Sequence, residues 1–271
     1  MPQFNRDKAS LFYSDTGAPE GRPAAPTIFF GHGLNFGGWM FEPQIQELSR
    51  DYRCVAIDWR GQGHSSAADD YGMDTLADDA IALIEELGIG PVHWVGLSMG
   101  GFVGMRIAAR RPDLIRNLAL LATSSERDGE ESIAANRALA ERIKSGNRPL
   151  AWDMAPTTFG KEFTNRHGSE EILKRWDALM AGASGLGDAI LGVVDRGDIT
   201  AEISRISAPT LVMSGDEDTM PPSLGQSIAA IIPGAEFRFV PGAGHASTLD
   251  KPDFITEALA KFFSANNESR S

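Results

Sequence analysis

The chain has 271 residues, 42% of them hydrophobic, and its 25 basic against 37 acidic residues give a formal net charge of −12. That apolar content supports a buried core and excludes a disordered chain, while the acidic balance argues against a nucleic-acid partner, whose phosphates are bound through clustered Lys and Arg. A single cysteine, Cys54, excludes an internal disulfide scaffold and a cysteine metal cluster. No apolar run approaches the roughly 20 residues of a membrane span, and no basic-then-apolar leader opens the chain, so the expected place is the cytoplasm with no membrane partner.

Short β-rich apolar runs recur at 27–30, 54–57, 92–95, 118–122, 210–213 and 236–240, separated by Gly- or Pro-marked loops and helix-period segments. Most are apolar on consecutive residues, as strands covered on both faces should be, which predicts a parallel sheet. Between the second and third runs Asp74 is the expected N-cap of a helix whose stripe is Leu76, Ala80, Leu83, Ile84 and Leu87, with Gly88 as the stop. After the third run a helix is predicted over 99–110, ending before Pro112. From 124 to about 205 the alternation stops, and helices are predicted near 133–143, 170–180 and 189–194 with no strand. The chain therefore predicts an α/β fold, a mostly parallel central sheet flanked by helices (1–123 and 206–271), with a helical cap (124–205) inserted between two strands.

The sharpest local signal is Gly96-Leu97-Ser98-Met99-Gly100-Gly101, directly after one predicted strand and directly before a predicted helix. A nucleophile on so sharp a turn is held in a strained backbone conformation, and side chains two residues to either side would clash, so glycines flank it. A serine is inert without a base and an acid, and both follow in the order Ser, acid, His. His245, in the small-residue loop Pro241-Gly242-Ala243-Gly244-His245, is the candidate base, whereas His167 has polar neighbours and reads as a surface residue. The loop Gly215-Asp216-Glu217-Asp218 offers three carboxylates; Asp218 is the preferred acid, with Asp216 read as a brace. For the oxyanion hole, the backbone amides of Met99 and Leu34 are the candidates, and His32 is read as shaping the Leu34 turn.

These motifs give the chain a resemblance, nearly end to end, to the serine-nucleophile α/β-hydrolases. His32-Gly33, then Asp58-Trp59-Arg60-Gly61-Gln62-Gly63-His64-Ser65, the elbow at Ser98, Gly215 with Asp218, and Gly242-Ala243-Gly244-His245 follow in the family's order. The resemblance implies that Asp218 is the acid and points to the branch of enol-lactone hydrolases and small carboxylesterases. Haloalkane dehalogenases and epoxide hydrolases carry an aspartate where this chain has Ser98. Carbon–carbon bond hydrolases are similar too, but often have Asn where this chain has Leu97.

The expected reaction is hydrolysis of an ester or lactone bond in a small, largely apolar substrate through an acyl-enzyme. Activity is expected to fall in acid, because the base must be neutral. No glycine pattern completes a dinucleotide or phosphate loop, so no cofactor and no metal are expected. Trp152, Met154, Phe159, Phe163, Trp176 and Met180 could roof the serine; Trp152 and Met154, read as lying in an irregular segment, are the favoured pocket residues, with Trp39. The rivals are a carbon–carbon bond hydrolase, a cofactor-free haloperoxidase or perhydrolase and, from another class, a ligand receptor on the same fold, which multiple turnover of a p-nitrophenyl ester would exclude. A homo-oligomer stays open.

Overall fold

A computed structural model describes residues 2–267. Its eight strands are β1 (Gln3–Arg6), β2 (Ala9–Asp15), β3 (Thr27–Gly31), β4 (Arg53–Ile57), β5 (Val92–Leu97), β6 (Ile115–Leu121), β7 (Thr210–Gly215) and β8 (Glu236–Val240). They form one sheet in the order β1-β2-β4-β3-β5-β6-β7-β8. From β4 to β8 every pairing is parallel; β1 and β2 join antiparallel. The helices are α1 (Glu42–Leu48), α2 (Met73–Glu86), α3 (Met99–Arg110), α4 (Glu130–Lys144), α5 (Ala151–Thr158), α6 (Ser169–Gly182), α7 (Leu186–Val194), α8 (Pro222–Ile231), α9 (Ser247–Asp250) and α10 (Pro252–Asn267).

Every residue of β3, β5 and β7 is buried, and alternate side chains feed two different cores. Ile28 and Phe30 face one packed by α10 and the helical segment after β6, whereas Phe29 faces one packed by α2 and α3. This two-sided burial is why these strands read as continuous apolar runs. Among the described residues the stretch 124–205 holds helices α4 to α7 and no strand.

Three local expectations change. The hairpin β1–β2 was not legible, because its half-buried, charge-bearing residues lack a continuous apolar run. The N-cap of α2 is Gly72, and Asp74 sits in the first turn instead, where its carboxylate accepts from Arg106 at 3.0 Å and Arg110 at 2.6 Å and so clamps α2 to α3. The segment with Trp152 and Met154 is the helix α5, with Pro156 inside it at the cost of the one amide bond that a proline cannot donate to the carbonyl four residues back. No single helix is long and apolar enough to cross a membrane.

Candidate active site

Because the six central strands are parallel, the loops that follow β3, β5, β7 and β8 all emerge at one rim. The chain leaves β3 for β4 on one side and then returns to β5 on the other, so this rim contains the point where strand order reverses, the place where open α/β sheets hold ligands.

Ser98 stands there between β5 and α3 with φ 52° and ψ −109°, a conformation that costs a residue with a Cβ on the order of 1–3 kcal/mol. The turn is held from several sides. The Ser98 amide donates to the Leu121 carbonyl at 2.8 Å, and Thr123 Oγ1 donates to the Ser98 carbonyl at 2.9 Å. The flanking glycines answer a steric demand, since a Cβ on Gly96 would lie 2.2 Å from the Gly100 carbonyl oxygen and one on Gly100 would lie 1.9 Å from that of Gly31. Helix α3 thus presses against β3 with no room for a methyl group, and its free N-terminal amides lie beside the serine.

The loop after β3 comes to the same place. A Cβ on Gly33 would stand 3.6 Å from the Cβ of Ser98, which brings the Leu34 turn alongside the elbow. His32 locks this turn: its Nε2 accepts from the Trp59 amide at 2.9 Å, its Nδ1 meets the Gly33 carbonyl at 2.7 Å, and its own carbonyl accepts from Trp59 Nε1 at 2.9 Å. Burial holds the His32 imidazole below its usual range despite the Asp58 charge and the Gly33 carbonyl, so the ring is neutral and both nitrogens are engaged.

His245 Nδ1 lies 3.1 Å from both carboxylate oxygens of Asp218, whose side chain is fully buried while the ring keeps 24% exposure. Asp218 Oδ1 also accepts from the Met220 amide at 2.9 Å. The other two carboxylates of the loop are occupied elsewhere. Asp216 accepts from the Gly242 amide at 2.6 Å and Glu217 from the Lys161 amide at 2.7 Å. Among the described residues no hydrogen bond joins the Ser98 hydroxyl to the His245 ring.

Trp39 is buried against Phe36 and lies under the Arg175 guanidinium, 4.8 Å from the ring centroid. Met154 is half-buried at the edge of the core packed by α10, whereas Trp152 is 44% exposed. Phe159, Phe163 and Trp176 pack with Phe36 into a buried aromatic cluster, with stacked centroids 3.6 Å apart for Phe159 and Phe163 and 4.7 Å for Phe36 and Trp176. His167 is exposed. Burial pushes the Cys54 thiol up to about 12, so it is no nucleophile at neutral pH. A cavity of about 920 Å³ opens between α1 and α10 at the other end of the sheet and does not border Ser98. Among the described residues no group of His, Cys, Asp and Glu could hold a metal ion.

Two buried contacts had no signature in any motif: the pairing of Arg60 with Asp79, at 2.6 and 2.8 Å, and the Asp250 carboxylate beneath the His245 loop emerge only from tertiary contact. An acidic residue inside an otherwise apolar helix stripe, as Asp79 is, would have been the one available signal.

The parallel sheet, the strained serine turn and the histidine–aspartate pair agree with a match of residues 28–258 to the model of the alpha/beta hydrolase family, and the chain belongs to that family. It is similar in structure to an enol-lactonase from Burkholderia xenovorans LB400, with a TM-score of 0.87, 28% identity and coverage of 97% of this chain and 100% of that one. An esterase from Thermogutta terrifontis gives a TM-score of 0.86 at 28% identity, covering 95% and 94% of the two chains. In sequence the chain is 28% identical over 265 residues to BpoC of Mycobacterium tuberculosis, which carries a provisional non-heme bromoperoxidase name; the match covers 94% of this chain and 98% of BpoC.

Proposed function

We propose that the chain hydrolyses ester or lactone bonds of small, largely apolar substrates through an acyl-enzyme on Ser98. The observation that carries this reading is the Asp218–His245 pair at 3.1 Å on the rim that also bears the strained Ser98. With Nδ1–H donated to the buried carboxylate, the ring is fixed in the tautomer whose Nε2 lone pair is free to take a proton. Nε2 accepts the Ser98 proton as the hydroxyl attacks the carbonyl carbon. The Met99 and Leu34 amides hold the tetrahedral oxyanion, and the protonated imidazole then gives its proton to the departing alkoxide or enolate. Water, activated by the same nitrogen, releases the acid. Segment 124–205 acts as a cap over the core of 1–123 and 206–271, with Trp39, Trp152 and Met154 at the substrate. The similarity of the chain to an enol-lactonase and an esterase supports ester and lactone chemistry.

The test is a panel of short esters, aromatic esters, lactones and enol-lactones with the wild type and Ser98→Ala together. Multiple turnover by the wild type and none by the variant is expected; a variant that kept a tenth of the activity would move the nucleophile elsewhere. The similarity to BpoC favours one second reading, perhydrolysis of a carboxylic acid by hydrogen peroxide at the same serine. It predicts bromination of a dione dye that requires hydrogen peroxide, a carboxylic acid and bromide, the peracid oxidising bromide to the brominating species and returning to the acid, at a rate exceeding that of ester hydrolysis.

A further inference from the structure

We propose that Asp250, on α9, is a positioning residue that fixes His245 and ties it to the segment leaving α5; the inference rests on the reading of His245 as the general base. Asp250 is 5% exposed, and its Oδ2 accepts two backbone amides, from Gly244 at 2.7 Å and from Gly160 at 2.6 Å. Gly244 immediately precedes His245, and Gly160 lies just beyond the end of α5. On the other side of the histidine, the Ala246 amide donates to the Thr158 carbonyl at 2.9 Å. His245 is therefore held between two neighbours that are both bonded to 158–160, one directly and one through the carboxylate.

The contact is backbone on backbone. A Cβ on Gly244 would lie 2.4 Å from the Phe159 carbonyl carbon, and one on Gly160 would lie 2.2 Å from the Gly242 carbonyl oxygen. No side chain fits between the strands of chain, so the carboxylate at their edge is what joins their donors. Asp250 itself is anchored, because Arg166 donates to its carbonyl at 2.6 Å and to that of Leu249 at 2.5 Å. Among the described residues its carboxylate has no cation within ion-pair distance, which leaves the oxygen to the two amides. These bonds tie the backbone on both sides of His245 to 158–160, so the geometry that Asp250 maintains belongs to turnover more than to affinity.

The experiment measures kcat and KM for p-nitrophenyl acetate with wild type, Asp250→Ala, Asp250→Asn and Ser98→Ala, each checked for fold by circular dichroism. Asp250→Ala should lower kcat by about 10- to 100-fold, the effect of an ångström-scale misplacement, with KM within about twofold. Asp250→Asn, whose amide oxygen can accept both N–H groups, should recover most of the loss. Wild-type kcat in folded Asp250→Ala, or an Asn variant no better than Ala, would overturn the assignment. If Asp250→Ala does not fold, Asp250→Ser replaces it, since its hydroxyl is too short to reach both amides. Full activity in Ser98→Ala would instead overturn the catalytic reading, whereas a dead Ser98→Ala beside an unimpaired Asp250→Ala would remove the positioning role alone.

Discussion

The chemistry proposed for this chain is concentrated in three side chains and their immediate hydrogen bonds. All three carboxylates after β7 accept a backbone amide, but only one also faces an imidazole, so comparing substitutions at two of them separates bracing from catalysis. Asp218→Asn should reduce kcat by about 10³- to 10⁴-fold by destroying the tautomer preference, while Asp216→Asn keeps an acceptor for Gly242 and should stay within about tenfold. A larger defect at position 216 in steady-state kinetics would reverse the assignment. The strain at Ser98 allows a second test. Ser98→Gly removes the Cβ that φ 52° penalises, so it should abolish turnover yet raise the melting temperature by about 2–4 °C, which calorimetry would detect. An unchanged or lower melting temperature would mean that the turn is not strained.

Elements decide how these side chains meet. The β5–Ser98–α3 unit is a strand, a turn and a helix pressed so closely on β3 that Gly100→Ala must displace backbone, and a loss of at least ~1–3 kcal/mol is expected in urea titration. This unit, its glycines and the bounds of α3 were legible in the sequence because they follow from local geometry. The β1–β2 hairpin and α5 were not. The strands of the hairpin are stabilised by pairing on β4 instead of by an apolar run of their own, and α5 carries a proline that reads as a breaker. Asp74 shows the same limit, since residue type and position marked a helix start without revealing that Gly72 is the N-cap and that the Asp74 carboxylate meets Arg106 and Arg110 of α3.

At the scale of the whole molecule, pH acts through two histidines with opposite signs. His93 is fully buried between Tyr52, Phe263 and Asn117, and burial, with the Arg116 charge, brings its pKa down from 6.5 to about 3. The unfolded chain binds a proton here that the folded chain refuses, so this stability is complete above pH 6.5 and lost as pH falls toward 3. His93→Gln should flatten the acid side of the stability–pH curve by up to about 1.4 kcal/mol per pH unit, measured by urea unfolding. His64 has the opposite sign. Its hydrogen bond to Asp58, at 3.1 Å, raises the imidazole above its usual range, so its contribution is present below pH 6.5 and fades as pH rises through the folded value. With the ring half exposed the effect is small, and His64→Gln should lower the melting temperature at pH 5.5 but not at pH 9. The sequence by itself determined the parallel α/β order, the serine elbow and the order of the candidate catalytic groups, because runs of apolar residues and glycines near a tight turn are demands made within a few residues. Only the tertiary structure decided that Asp218, and neither of its two neighbouring carboxylates, faces His245, and that Asp250 clasps the His245 loop to the end of α5. Those choices depend on which donors approach from distant parts of the chain, and a hydrogen bond has no signature until both of its ends are in place.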